Sequence, residues 1–167
     1  MNYAAIKEHD TANGNGVRVS LFVSGCTHHC KGCFNEVAWD FNYGNLFTKE
    51  TEDKIISLLD RPYIKGLSLL GGEPMEVVNQ KSILPLLVRV KEKFGDSKNI
   101  WLYSGYTLEQ MLDTSSRCYC NETKQILKLI DVLVDGEFVE ELKDLRLQFR
   151  GSSNQRIIDM KTIKLDN

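Results

Sequence analysis

Val17-Arg-Val-Ser-Leu-Phe-Val23-Ser-Gly-Cys26-Thr-His-His-Cys30-Lys-Gly-Cys33 joins a β-branched, aromatic-containing run to a loop that carries three cysteines. The run has the composition of a strand. It is interrupted by Arg18 and Ser20 and is far too short to cross a bilayer. The same order, apolar strand and then an unusual loop, recurs downstream. Residues 67–70 form a short strand ending in Gly71-Gly-Glu-Pro74, residues 100–103 one ending at Ser104-Gly105, and residues 132–134 one ending at Asp135-Gly136. Helical segments separate them. Residues 49–60 place Glu50, Glu52 and Asp53 at a positive N-terminus and Ile55, Ile56, Leu58 and Leu59 on the apolar side. Residues 82–94 take Ser82 as cap, which puts Pro85 in the first turn, and stop at Gly95. Thr107 and Gln110 make a capping box opening a helix to about Leu112, a further helix covers 122–130, and a last strand includes Ile157 and Ile158. The stretch with Leu142, Leu145, Leu147 and Phe149 shows no clear period.

Strands alternating with helices predict an α/β fold with parallel pairing and right-handed crossovers. A complete eight-fold barrel needs about 200 residues or more, and this chain has 167. The expected architecture is therefore a partial (β/α) barrel or an open, curved, mostly parallel sheet of about five strands with flanking helices, in a single domain over 1–167. In such a sheet the loops at 26–33, 71–74, 104–105 and 135–136 collect at the carboxyl edge, where these folds place their ligands.

Composition narrows the function without naming it. The hydrophobic fraction of 42% and charged fraction of 26% are those of an ordinary globular chain, against disorder and against a membrane span. Twenty-one basic and 23 acidic residues leave a net charge of -2, so no nucleic-acid or membrane partner is indicated. Met1-Asn2-Tyr3 leads into no basic-then-apolar segment, so a reducing, cytoplasmic location is expected.

The five cysteines are an odd number, which excludes complete internal disulfide pairing. Clustered cysteines in a reducing compartment point to metal or catalysis. Cys26, Cys30 and Cys33 offer three thiolates, and a four-iron cubane held by three of them keeps one iron open for substrate chemistry. Zinc bound by the three cysteines with His28 or His29 is the alternative, in a binding module with no catalysis. Adjacent histidines between the first two cysteines are poorly placed to fold back as a fourth ligand. Cys118 and Cys120 form a separate Cys-x-Cys pair, read as bystander thiols.

Cys-x₃-Cys-x₂-Cys resembles the cluster motif of radical S-adenosylmethionine enzymes. Residues 17–26, Cys30-Lys-Gly-Cys33-Phe-Asn35, Gly71-Gly-Glu-Pro74, Trp101-Leu-Tyr-Ser-Gly-Tyr106, Asp131-Val-Leu-Val-Asp-Gly-Glu-Phe138 and Arg150-Gly-Ser-Ser-Asn-Gln-Arg156 narrow the resemblance. Together they resemble the activases of anaerobic ribonucleoside-triphosphate reductase, over about residues 3–160. The activases of pyruvate formate-lyase are a second small radical family, disfavoured by the short chain and the 150–156 string.

The resemblance implies a glycyl-radical activase with one 4Fe-4S cluster on Cys26, Cys30 and Cys33, its open iron chelating S-adenosylmethionine. Reductive cleavage of that cofactor gives a 5′-deoxyadenosyl radical, which removes hydrogen from a glycine of the large catalytic subunit of the reductase. That subunit is thus both partner and substrate, and an external one-electron reductant is needed. No residue acts as general acid or base, because the chemistry sits at the cluster. By the same resemblance, Gly71, Gly72 and Glu73 bind the methionine amino group through backbone carbonyls and the Glu73 carboxylate, and adenine lies against Gly32, Cys33 and Phe34. Gly32 stands where most of the superfamily has an aromatic residue, and Asn13-Gly-Asn-Gly16 departs from the usual Asp-Gly-Pro-Gly entry. Tyr103, Ser104 and Gly105 are candidates for shaping the cofactor site. Arg150, Asn154 and Arg156 read equally as binding residues and as a hydrogen-bonded loop.

Overall fold

A computed structural model of the chain describes residues 1–165; the last two positions of the expected 1–167 domain, Asp166 and Asn167, lie outside the described residues. The elements run β1 (Asn2–Asp10), β2 (Val17–Val23), β3 (Asn45–Leu46), α1 (Lys49–Leu59), β4 (Ile64–Gly71), α2 (Val77–Phe94), β5 (Asn99–Ser104), α3 (Leu108–Leu112), α4 (Thr123–Leu129), β6 (Val132–Asp135) and β7 (Arg156–Asp159). Among the described residues the strands form one open seven-stranded sheet in the order β3-β1-β2-β4-β5-β6-β7.

The parallel order holds for the four central strands β2, β4, β5 and β6. The outer pairings are antiparallel: β1 with β2 and β3, and β7 with β6. The expected five strands thus become seven, the last one runs antiparallel, and the sheet stays open with β3 and β7 as edges. The extra strand β1 alternates half-buried and exposed residues, because only Tyr3 and Ile6 on it reach the core.

Side chains alternate across the central strands. Val19, Leu21 and Val23, Leu67 and Leu69, Ile100 and Leu102, and Leu133 join one hydrophobic core with Ile55 and Leu59 of α1 and Ile83, Leu86 and Leu87 of α2. The intervening residues, among them Leu70, Tyr103 and Val134, line a cavity on the opposite face.

Helix α1 begins where expected, but its cap is Thr48 with Thr51 in a reciprocal box. The Thr107–Gln110 box forms as read. Helix α2 differs: it begins at Val77, not at Ser82, so Pro85 lies inside it. The early start comes from buried polar side chains, Asn79 donating to the carbonyls of Ser24 (3.0 Å) and Glu73 (2.9 Å) and Gln80 to those of Met75 (2.8 Å) and Cys118 (2.6 Å). Pro85 is exposed, so the carbonyl its missing N–H leaves free is on the solvent side.

Arg18, which interrupts the β2 apolar run, is fully buried. Its guanidinium donates to Ser68 Oγ (2.7 Å), Asn99 Oδ1 (2.7 Å), the Leu67 carbonyl (2.8 Å) and the carbonyls of Asn15 and Asn99 (3.2 Å each), and lies over the Trp101 ring. Burial pushes its pKa down to about 10. Arg18→Met is expected to leave the more buried of these acceptors unpaired and to cost about 3 kcal/mol or more in all, at about 1–3 kcal/mol for each acceptor orphaned. Urea unfolding checks this, and a midpoint equal to that of wild type contradicts it.

Candidate functional site

The loop after β2 is held by its neighbours before any ligand is considered. Gly25 takes φ +96°, which suits glycine, and its N–H donates to the Ala38 carbonyl at 2.8 Å, while that of Cys26 donates to Trp39 at 3.2 Å. One carboxylate oxygen of Glu76 accepts from both the backbone N–H (2.8 Å) and the hydroxyl (2.6 Å) of Thr27. His29, at φ +52°, stacks on Trp39 with centroids 4.5 Å apart. A turn closes the loop, Cys33 N–H to the Cys30 carbonyl at 3.1 Å, with Gly32 at φ +72°.

The 71–74 segment locks onto this loop from the end of β4. Gly72 N–H donates to the Val23 carbonyl at 2.7 Å and Glu73 N–H to that of Gly25 at 2.8 Å. A Cβ on Gly72 would sit 2.6 Å from the Gly25 carbonyl oxygen and 2.9 Å from that of Ala38. Glu73 is only 1% exposed, and donors saturate its carboxylate: Met75 N–H (2.7 Å) and Ser104 Oγ (2.8 Å) on one oxygen, Gly105 N–H (2.7 Å) and His28 Nε2 (3.1 Å) on the other. Burial alone would lower the His28 pKa, but the hydrogen bond and charge of Glu73 outweigh it and hold the imidazole above its usual value.

A cavity of about 440 Å³ opens at this edge. Cys30, Gly32, Cys33, Phe34, Gly71 and Gly72 line it together with Ser104, Gly105 and Gly136, so the four loops do converge. Cys26 and Glu73 are buried and are not among its lining residues. Burial pushes the Cys26 thiol up to about 12 and the Cys30 thiol up to about 11, the latter also through Glu137, whose carboxylate is 3.5 Å from its sulfur.

The 150–156 loop reaches the same rim, with Arg150, Gly151 and Gln155 on the cavity wall. Its polar groups are largely used in folding. Arg150 donates to the Gln155 carbonyl, Asn154 to that of Glu137 (2.8 Å), and Arg156 bridges Asp135 and Glu109. Asp135 is fully buried and also accepts from Leu108 N–H at 2.7 Å. Leu145, Leu147 and Phe149, which had no period, line the cavity, and Phe149 packs edge-on against Trp101 at 5.3 Å. The roles of Thr27, His28 and Glu76 as loop anchors are not readable from the sequence; the nearest signal is the Glu73-Pro-Met-Glu76 spacing.

The donor set suits an iron–sulfur cluster better than zinc. The imidazoles needed as a fourth zinc ligand are engaged elsewhere, His28 with Glu73 and His29 against Trp39. Among the described residues no three His, Cys, Asp or Glu side chains converge on a single ion position. A cubane does not require that, since its thiolates bind different irons. The cavity volume lies within the range of about 300–1,000 Å³ typical of small-molecule sites.

Cys118 and Cys120 lie elsewhere, at the junction of α2 and α4. The Cys118 sulfur contacts Ser116 Oγ (3.2 Å) and the Gln110 carbonyl (3.7 Å), and that of Cys120 contacts Gln80 Oε1 (3.3 Å). Cys118→Ala is expected to leave iron uptake unchanged and to cost about 1 kcal/mol for a small void. Iron analysis after anaerobic reconstitution checks it, and loss of bound iron would refute the bystander reading.

Comparison with known proteins gives a consistent result. The family model described as "4Fe-4S single cluster domain" matches residues 12–158. The anaerobic ribonucleoside-triphosphate reductase-activating protein of Vibrio cholerae is 46% identical over 159 residues, covering 94% of this chain and 97% of the relative. Its counterpart from Escherichia coli K12 is 44% identical over 93% of this chain and 96% of the relative, and that of Enterobacteria phage T4 is 40% identical over 94% and 93%. Among the described residues no helix is long and apolar enough to cross a membrane.

Proposed function

The chain belongs to the family of anaerobic ribonucleoside-triphosphate reductase-activating proteins, and on that premise we propose that it installs the glycyl radical of such a reductase. The observation that carries the reading is the meeting of Cys30 and Cys33 with the 71–72, 104–105 and 136 backbone in one cavity. Cys26, Cys30 and Cys33 would hold a 4Fe-4S cluster, three thiolates for four irons. The bound cluster and S-adenosylmethionine would supply one-electron reductive cleavage chemistry that ends in hydrogen removal from a glycine of the large subunit.

The residues of the chain orient and shield. Both thiols raised by burial would give up protons on binding iron, which favours loading at higher pH. The backbone of Gly71 and Gly72 would hold the methionine amino group, and that of Gly32, Cys33 and Phe34 would receive adenine, all five residues lining the cavity. Because Glu73 already accepts four hydrogen bonds, its carboxylate contributes by fixing that turn. Phe138, Leu147 and Phe149 keep water from the inner cavity. Phe34, 84% exposed, and Leu145, 90% exposed, stand at its mouth, where the large subunit of the reductase closes over them. The whole chain acts as one unit, in the cytoplasm, with electrons from an external reductant.

Anaerobic reconstitution with iron and sulfide, then dithionite and S-adenosylmethionine, should yield methionine and, with the large subunit present, a glycyl-radical EPR signal. Failure to form a brown cluster, or a cluster that survives replacement of all three cysteines, sinks the cofactor assignment. Methionine without the radical signal sinks the substrate assignment alone.

A further inference from the structure

His28 occupies the middle of the three-residue bridge between Cys26 and Cys30, yet its side chain is only 7% exposed. Its ring packs against Tyr106 with centroids 4.3 Å apart, and Tyr106 is itself 3% exposed. Gly105 makes room for it, since a Cβ there would lie 2.7 Å from His28 Nε2. That nitrogen meets Glu73 Oε2 at 3.1 Å, and Glu73 is in turn tied to Ser104 and Gly105 at the end of β5. One residue earlier, Thr27 is gripped by Glu76. Both carboxylates of the 73–76 segment therefore turn back onto two consecutive residues of the cysteine loop.

We propose that His28 is a positioning residue: its hydrogen bond to Glu73 fixes the cysteine loop to the 71–74 turn, so that the cluster ligands and the cofactor-binding turn keep one fixed separation. This inference rests on the reading of the site as a cluster with S-adenosylmethionine beside it. The bond acts on cofactor engagement because the two halves of the site come from β2 and β4, and the 71–72 backbone is placed only as well as the loop it leans on. Groups that orient metal ligands from outside typically matter by about 10–100-fold in affinity or activity.

The test uses the full-length, anaerobically reconstituted protein with its cluster reduced. The reading is the S-adenosylmethionine concentration that half-completes the change in the cluster EPR spectrum. His28→Phe keeps a ring against Tyr106 but has no ring nitrogen, whereas His28→Gln keeps an N–H donor of similar reach. The expected result is a shift of about tenfold or more to higher concentration in His28→Phe, with His28→Gln within about threefold of wild type. A His28→Phe protein that behaves as wild type overturns the proposal, and so does equal impairment in both variants. Should His28→Phe lose its iron, the same comparison is read as iron retained per chain: full retention in His28→Gln supports the strut and equal loss overturns it. Wild-type protein without any cofactor-dependent spectral change defeats the reading of the site itself, whereas equal impairment of both variants beside a normally responding wild type defeats only the positioning role of His28.

Discussion

Cys26→Ala, Cys30→Ala and Cys33→Ala are each expected to abolish glycyl-radical formation while leaving the protein folded. With only three proposed thiolate ligands, no spare donor replaces the one removed; the nearest imidazoles are held by Glu73 and Trp39. Loss of an outer partner of a metal ligand already costs about 10–100-fold, so loss of a ligand should exceed about a hundredfold. Folding should survive because the loop is anchored independently of metal, through Thr27 to Glu76, His28 to Glu73 and the backbone bonds of Gly25 and Cys26 to Ala38 and Trp39. The measurements are iron per chain, radical yield by EPR with the large subunit, and the thermal midpoint. A variant that keeps its iron and a tenth of the wild-type radical yield contradicts the ligand assignment. A collapse of the thermal midpoint would instead show that the cysteines hold the loop together.

The central strands and their loops were legible because they are buried on a parallel sheet. Such strands read as short apolar runs, and each here ends in glycine or a polar pair. The outer strands were harder. In β1 the stretch Lys7-Glu-His-Asp10 gives no apolar alternation, since that strand lies near an edge and reaches the core only through Tyr3 and Ile6. Strand β7 is four residues long, and nothing in so short a run fixes its direction against β6. The start of α2 is hidden in the sequence because Asn79 and Gln80 look like surface residues until their bonds to Ser24, Glu73, Met75 and Cys118 are seen. At the site, local spacing gave the cysteines and the glycines. It did not give the direction of Glu73, whose partners His28, Ser104 and Gly105 lie far along the chain. Nor did it place residues 143–151, whose apolar side chains face a cavity instead of a packed core and so obey no secondary-structure period.

Gly72→Ala is expected to cost about a hundredfold in cofactor cleavage with the cluster still loaded, on the scale of about 10²-fold per 1 Å misplacement at a reacting centre. The obstacle is space and not backbone conformation, for Gly72, unlike Gly71, does not take a positive φ. Its missing Cβ would press on two backbone carbonyl oxygens, Gly25 at 2.6 Å and Ala38 at 2.9 Å, neither of which can rotate away as a side chain would. Relief must come from the 71–74 turn moving outward. That motion strains the bonds from Gly72 N–H to Val23 and from Glu73 N–H to Gly25, the two that seat the proposed cofactor-binding turn against the cysteine loop. A comparison separates this from general destabilisation. Gly95 has φ +53° and ψ −128°, a backbone conformation that suits glycine, but nothing within 4 Å of the position a Cβ would take, so Gly95→Ala should cost about 1–3 kcal/mol of backbone strain and leave methionine formation unchanged. Methionine released per cluster, compared across the two variants and wild type, decides the matter. Equal loss in both would assign the effect to stability, and wild-type turnover in Gly72→Ala would mean that this turn does not set the cofactor's position.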